Sequence, residues 1–520
     1  MHYRINEIKL NIGESKDRLP GMIEKKLRLK PGMIIDWELR RESIDARNKQ
    51  DIRLVYTVDF WCDRRIDPKM KGLKANQLML VDDSRENPVE PVAGSERLSG
   101  RPLIVGFGPC GIFAALELAR RGYRPLVIER GAAMEERVED VEAFRAGGEL
   151  KLESNMLFGE GGAGTFSDGK LTSGIRNGHI RQVLADFCRA GAGEDIMYLH
   201  RPHIGTDVLR EVIVNLRKEI ISLGGQVRFG TRLDRILLKD GELCGAEIVS
   251  ATGRETVETN AMILAVGHSA RDTFKHINEL GMDIQQKPFS IGVRMEHPQV
   301  IIDRAQYGSE DRLPPADYKL AYHAANGRGV YSFCMCPGGE VVVCSNSEGE
   351  ISVNGMSNRK RDSGTANSGI LCDVRTSDFD GEDPLAGVRF QEKYERLAFE
   401  NGGRNYKAPS CSMGDFLAAE GSKAEAVIAS MPEFASEAIR EAVPFFAKKI
   451  KGYDMPEAVI TAVETRSSSP IRILRNGDCE SNIKGIYPAG EGAGYAGGIT
   501  SAACDGIKAA QSIISRFAAE

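Results

Sequence analysis

Six residues carry the clearest chemical signal in the chain: Gly106-Phe107-Gly108-Pro109-Cys110-Gly111, a G-x-G-x-x-G run. In such a turn the first glycine permits the tight bend and the second lets a pyrophosphate approach the backbone. The third lets helix pack on strand, and the helix N-terminus then faces the phosphate charge. Gly159-x-Gly161-x-x-Gly164 and Gly492-x-Gly494-x-x-Gly497 fit the same pattern. Context separates them. Only the first follows a short apolar strand (102–105), opens an apolar helix (112–121) and reaches a second strand (125–128) within one βαβ unit. Glu129 ends that second strand, 18 residues after Gly111. A carboxylate there accepts hydrogen bonds from an adenosine ribose 2′-OH and repels a 2′-phosphate. Gly106, Gly108, Pro109, Cys110, Gly111, Glu129 and Arg130 are therefore expected cofactor residues.

Gly485-Ile-Tyr-Pro-Ala-Gly-Glu491 chooses between FAD and NAD. A strand ending in Gly490-Glu491, followed by Gly497, Gly498 and a helix from Ile499, matches the last segment of FAD proteins of the glutathione-reductase type. There the acidic residue binds the ribityl chain, the last strand lies beside the first, and the helix N-terminus stabilises the reduced flavin. Gly159–Lys170 (GEGGAGTFSDGK) is too glycine-rich and polar for a helix or core strand. We read Gly161, Gly162, Gly164, Thr165 and Ser167 as flavin ligands and Lys170 as a group near the ring, against a plain surface loop. Ala265-Val266-Gly267-His268 ends a strand where the chain leaves the cofactor; Gly267 joins the cofactor set, and His268 reads as a loop histidine. Glu464-Thr465-Arg466-Ser467-Ser468-Ser469-Pro470 should return the chain to the flavin, with Arg466 and Ser467 as catalytic candidates. A solvated arginine in a turn is the competing reading.

The segments GFGPCGIFAALELARRGYRPLVIERG, LFGEGGAGTFSDGKL and GIYPAGEGAGYAGGITSAACDG resemble the FAD-dependent dehydrogenases of uncharacterised function, which are distantly similar to BaiN-like NAD(P)/FAD-dependent oxidoreductases. The resemblance spans about residues 100–520 and implies FAD without implying a substrate. Related members also carry an N-terminal module like residues 1–80. Glu491 stands where many flavoproteins have Asp.

The rest of the chain must position these groups. It has 520 residues, a net charge of −5 and 42% hydrophobic residues, the profile of a multidomain globular protein. No apolar run reaches the roughly 18 residues that span a bilayer, the start lacks a signal-peptide pattern, and 11 cysteines form no even framework, so a cytoplasmic enzyme is expected. Residues 1–80 read as strand (3–10), helix (16–29) and two strands (33–39, 52–61), with a polar linker over 81–100. Asp207 is read as the cap of a helix bearing Leu209, Val212, Ile213, Leu216 and Ile220, with strands at Val227/Phe229 and 262–266 after it. From about 289 the βα rhythm gives way to antiparallel strands (290–295, 330–335, 340–344) and helices near 386–400 and 432–450. The expected fold is α/β: a glutathione-reductase-type, Rossmann-like FAD domain interrupted by a mixed α+β substrate domain, plus a small α+β N-terminal module. The expected bounds are 1–95, 96–288, 289–452 and 453–520.

Cys334-Met335-Cys336 would put both thiols on one face of a strand. Disulfide reductases of this fold place a C-x4-C pair after the first βαβ unit, and none is there, so packed free thiols are the preferred reading. His200-Arg-Pro-His203 lacks helical spacing and no C-x-x-C pair occurs, so no metal is expected. The functional expectation is an FAD-dependent oxidoreductase passing hydride or electron pairs through flavin N5 to or from a small-molecule substrate. NADH or NADPH is a candidate transient donor that would bind without a second Rossmann domain. The alternative is an FAD-dependent RNA-modifying enzyme gripping RNA with residues 1–80, which carry 18 Lys/Arg against 12 Asp/Glu. Because these charges are interleaved and no aromatics cluster among them, nucleic acid is disfavoured. Neither a membrane partner nor an oligomeric state is implied.

Overall fold

Leu103–Val105, apolar throughout, is the central strand of a five-stranded parallel sheet in the computed structural model, which describes residues 1–67, 73–74, 76–82 and 90–519. The strand order is Ile486–Pro488, Met262–Leu264, Leu103–Val105, Leu126–Ile128, Gln226–Arg228. Helices cover one face and an antiparallel meander with Arg271–Glu279 covers the other, so the four strands other than the edge strand Gln226–Arg228 are buried on both sides and read as apolar runs. One expectation needs correction. The last strand does not lie beside the first, because Met262–Leu264 stands between them. What adjoins instead is the pair of helices that follow these strands, Pro109–Arg120 and Ile499–Arg516. A Cβ on Gly506 would lie 2.1 Å from the Cys110 carbonyl oxygen, so the backbones touch there.

The helix Thr206–Ser222 buries the expected face of Leu209, Val212, Ile213, Leu216 and Ile220. Its N-cap is Gly205 rather than Asp207; the Asp207 carboxylate instead accepts from the Arg359 amide at 2.8 Å. Between Gln226–Arg228 and Met262–Leu264 lies an antiparallel meander of Arg232–Lys239, Glu242–Ser250 and Gly253–Glu258. The sequence reading missed it, since only part of each strand alternates in polarity.

A six-stranded antiparallel sheet builds the inserted domain, in the order Ala321–His323, Gly329–Cys336, Thr365–Val374, Phe289–Pro298, Val459–Glu464, Ser410–Ser412. Gly339–Cys344 pairs with Ser352–Ser357 in a separate antiparallel ribbon. The helices Ala386–Asn401, Ser422–Ala429 and Glu433–Ala447 share one apolar core with the large sheet. Val459–Glu464 is hydrogen-bonded to Phe289–Pro298. The strand therefore belongs to the insert, and the chain leaves that sheet after Glu464 rather than at 452, the end expected from the sequence.

The N-terminal module is a four-stranded antiparallel sheet in the order Ile34–Asp45, Arg53–Cys62, His2–Asn11, Leu78–Leu80. Its helix is shorter than expected: a 3-10 turn at Lys16–Arg18, then Leu19–Lys26, with Leu19 and Ile23 buried. The module docks on the nucleotide domain through backbone bonds from Glu42 to the Tyr198 carbonyl and from His200 to the Glu42 carbonyl, 2.7 and 2.8 Å. Part of the expected linker, residues 83–89, lies outside the described residues. Among the described residues no helix is long and apolar enough to cross a membrane.

Candidate cofactor cleft

A cleft of about 390 Å³ runs from the carboxyl end of the parallel sheet to the face of the antiparallel sheet. Two helices open into it. Gly108 caps Pro109–Arg120 and Gly498 caps Ile499–Arg516, both without a side-chain cap, so unpaired helix-end amides and two positive dipole ends face one space. Such ends favour anionic oxygens. The glycines keep the walls low. Gly106 sits at φ 102°, a left-handed turn that favours glycine. A Cβ on Gly108 would come no nearer than 3.8 Å to the Gly162 Cα, so this position is open to the cleft, and a Cβ on Gly497 or Gly498 would meet nothing within 4 Å. Gly111 is different. Its Cβ would fall 1.9 Å from the Gly106 carbonyl oxygen, so it serves the packing of helix on strand and not the cleft wall.

At one end of the cleft Glu129 accepts from the amides of Phe107 (2.8 Å), Gly131 (3.0 Å) and Gly159 (2.9 Å). The carboxylate thus ties the glycine turn to the Gly159–Lys170 loop whether or not a ribose is present, and the sequence reading gave it only the ribose. Three of its roughly four acceptor positions are taken, which leaves one for a ribose hydroxyl. Arg130 lies over the Phe158 ring (4.3 Å) and pairs with Glu153 and Asp272. Pro109 and Cys110 border the same end; burial pushes the Cys110 thiol well above its ordinary range, the mark of a packing residue.

The Gly159–Lys170 loop folds over the middle. Gly162, Gly164 and Ser167 line the cleft. Gly161 and Thr165 do not: a Cβ on Gly161 would clash with the Thr165 hydroxyl, and Thr165 is fully buried, its carbonyl accepting from Thr206 Oγ1 at 2.7 Å. Both hold the loop from behind. Gly267 and Glu491 line the cleft with Gly497, Gly498 and Ile499. Gly490 lies behind that wall against Cys110, its amide bound to Asp505 at 2.7 Å.

At the far end the two domains meet. Lys170 holds the Met335 carbonyl and lies 3.7 Å from Asp168. Burial alone would raise the Asp168 pKa, but the Arg361 guanidinium and the Lys170 ammonium outweigh it and hold the carboxyl below its ordinary value. Ser467 lines the cleft, its hydroxyl donating to the Ser290 carbonyl at 2.7 Å. Arg466 also borders the cleft, yet its guanidinium is committed to Glu395 (2.8 and 3.0 Å) and Ser269 Oγ (2.8 Å). It is neither a solvated turn residue nor a free positive charge. His268 Nε2 donates to the Arg466 carbonyl at 3.0 Å.

Phe333, Asn354 and Glu464 are among the wall residues to which the sequence reading gave no role. Glu464 pairs with the fully buried Arg294 at 2.7 Å, and burial pushes its carboxyl up to about 7 against that guanidinium. Its place at the end of Val459–Glu464 was a possible signal, because that strand runs straight into Arg466. Asn354 gave none, since the ribbon that carries it is brought to the cleft by tertiary packing. Among the described residues no cluster of His, Cys, Asp or Glu could hold a metal ion.

The cleft's low glycine walls, helix-end amides and single acidic ribose acceptor fit FAD, whose pyrophosphate needs the first two and whose adenosine needs the third. Residues 288–467 match the family described as "FAD-dependent protein, C-terminal domain-like", and residues 2–61 match a domain of unknown function. The chain thus carries a domain of that FAD-dependent family next to a parallel α/β domain. It belongs to the family that includes an uncharacterised protein of Clostridium beijerinckii, 44% identical over 537 residues covering 99% of each chain. Among solved structures, the flavin-dependent brominase Bmp2 aligns at 11% identity over 79% of this chain and 77% of that one, with a TM-score of 0.37. A geranylgeranyl bacteriochlorophyll reductase-like protein from Thermoplasma acidophilum aligns at 14% over 80% and 78%, TM-score 0.36.

Proposed function

We propose that the protein is an FAD-dependent oxidoreductase whose small-molecule substrate enters the far end of the cleft, between the parallel sheet and the inserted domain. The observation that carries this reading is one continuous cleft with an adenosine-type acceptor at one end and two facing domains at the other. FAD, when bound, supplies hydride or electron-pair transfer at its N5. Gly106, Gly108 and the amides of Pro109–Arg120 would hold its pyrophosphate, Glu129 a ribose hydroxyl, and the Gly498–Ile499 helix end the edge of the ring where negative charge develops on reduction. Around the substrate space, Lys170 and Arg294 supply fixed positive charge. Glu464, titrating near neutrality, holds or releases a proton at a carboxylate oxygen.

NADH or NADPH remains the candidate donor, bound without its own Rossmann domain: among the described residues there is one parallel sheet. The resemblance to BaiN-like oxidoreductases agrees with this reading. The RNA-modifying alternative finds no support in the relatives. In the N-terminal module many basic side chains are also engaged, Arg4 and Arg40 with Asp59, Lys9 and Arg47 with Asp45, and Lys16 with Glu42. The test is anaerobic mixing of the FAD-loaded protein with NADH or NADPH while flavin absorbance is followed. Bleaching by either donor supports the proposal. Flavin that no nicotinamide, dithiol or other physiological donor can reduce would leave FAD a structural role and overturn it.

A further inference from the structure

Cys334 does not lie on a regular strand. The pairing of Gly329–Cys336 with Thr365–Val374 slips between Phe333 and Cys336, and Cys334 takes φ 41°, a left-handed conformation that is costly for a side-chain residue. Such bulges re-aim side chains, and this one leaves Cys334 on the wall of the cleft while Cys336 is fully buried behind it. Cys336 Sγ donates to the Cys334 carbonyl at 3.2 Å, which ties the two cysteines together across Met335. Two cations grip the same three residues: Lys170 holds the Met335 carbonyl and Arg294 Nη1 donates to the Cys334 carbonyl at 2.9 Å. Thiols that only pack need neither a strained backbone nor buried cations beside them.

We propose that Cys334 and Cys336 form a redox pair that exchanges two electrons with the flavin, Cys334 facing the cleft and Cys336 resolving from behind. The proposal rests on the reading of the cleft as an FAD site. In the oxidising direction Cys334 reacts as thiolate and Cys336 as thiol. One S–H bond breaks and one S–S bond forms; the electron pair and the released proton pass to oxidised flavin, giving its anionic reduced form. The reverse step reduces the disulfide. The environment agrees: the hydrogen bond from Cys336, with Lys170 and Arg294, holds the Cys334 thiol well below its ordinary range despite burial, while Cys336 is pushed up. A low-pKa thiol beside a resolving partner in a positively charged setting is the arrangement thiol–disulfide exchange needs. The pair would make a dithiol or disulfide compound a natural substrate class.

The experiment is an anaerobic reductive titration of the FAD-bound protein, with FAD content measured first. The wild type should take up twice as many electrons per FAD as Cys334→Ser or Cys336→Ser. Independently of turnover, air-oxidised wild type unfolded in denaturant should show two fewer free thiols than its 11 cysteines, with a 334–336 disulfide found by peptide mass. Equal electron uptake in wild type and variants, or 11 free thiols in the oxidised protein, overturns the proposal and leaves the FAD assignment standing. A protein that binds no FAD overturns both.

Discussion

Gly108 and Gly111 are three residues apart in one motif and do different work. The Gly108 position is open to the cleft, whereas a Cβ on Gly111 would overlap the Gly106 carbonyl oxygen. Gly108→Val should therefore abolish FAD retention while the apoprotein unfolds close to the wild-type temperature. Gly111→Ala should lower apoprotein stability by about 1–3 kcal/mol through overpacking, with or without cofactor. Thermal unfolding of the apoproteins beside FAD content separates the two. Full FAD occupancy in Gly108→Val would move the phosphates to another glycine run. Glu129 shows how far a sequence can be read at this scale. Its position after the second strand announced an acidic acceptor, but one of its three backbone donors, the Gly159 amide, lies on a loop that returns 30 residues later and could not be read from spacing.

Elements meet at Glu395. This carboxylate, fully buried on Ala386–Asn401 of the insert, binds Arg271 at the start of Arg271–Glu279 in the nucleotide domain and Arg466 on the returning chain. Burial alone would raise its pKa, but the two guanidinium groups outweigh it and bring the carboxyl down to about 2. A carboxyl held low in the folded protein contributes stability that is complete above its ordinary value near 4.5 and is lost as pH falls from there toward 2. Glu395→Gln should cost about 3–5 kcal/mol at neutral pH, because the buried Arg466 guanidinium loses its counter-charge and Arg271 keeps only Glu350. The same variant should flatten the acid limb of stability. A denaturation series between pH 2 and 7 checks both, and an unchanged acid limb would show that this joint does not hold the domains together. Arg466 was legible as a residue near the cleft. That it is a strut of this joint was not, since its partner lies 71 positions away on a helix whose amphipathic pattern says nothing about what it covers.

Across the whole molecule, the strands flanking the first glycine turn, the antiparallel character of the insert and its two long helices were legible, because each is set by local periodicity. The order of the parallel sheet, the meander of 232–258 and the far edge of the insert were not, because each depends on which distant strand offers a free edge. The cleft belongs to neither domain alone. The parallel-sheet domain walls one end of it and both domains wall the other, so FAD bound there as proposed should stabilise the two together. By mass action FAD at 100 times its Kd adds about 2.7 kcal/mol, so the thermal midpoint should rise with added FAD in one cooperative transition. A second transition, unmoved by FAD, would mean that the insert folds apart from the site.

The central claim is that this cleft holds FAD, and the most direct measurement is to unfold the purified, reconstituted protein and identify and count the flavin released. The account predicts FAD, one per chain, with none retained by Gly108→Val. Release of FMN, or a protein that stays colourless after reconstitution with FAD, would contradict it.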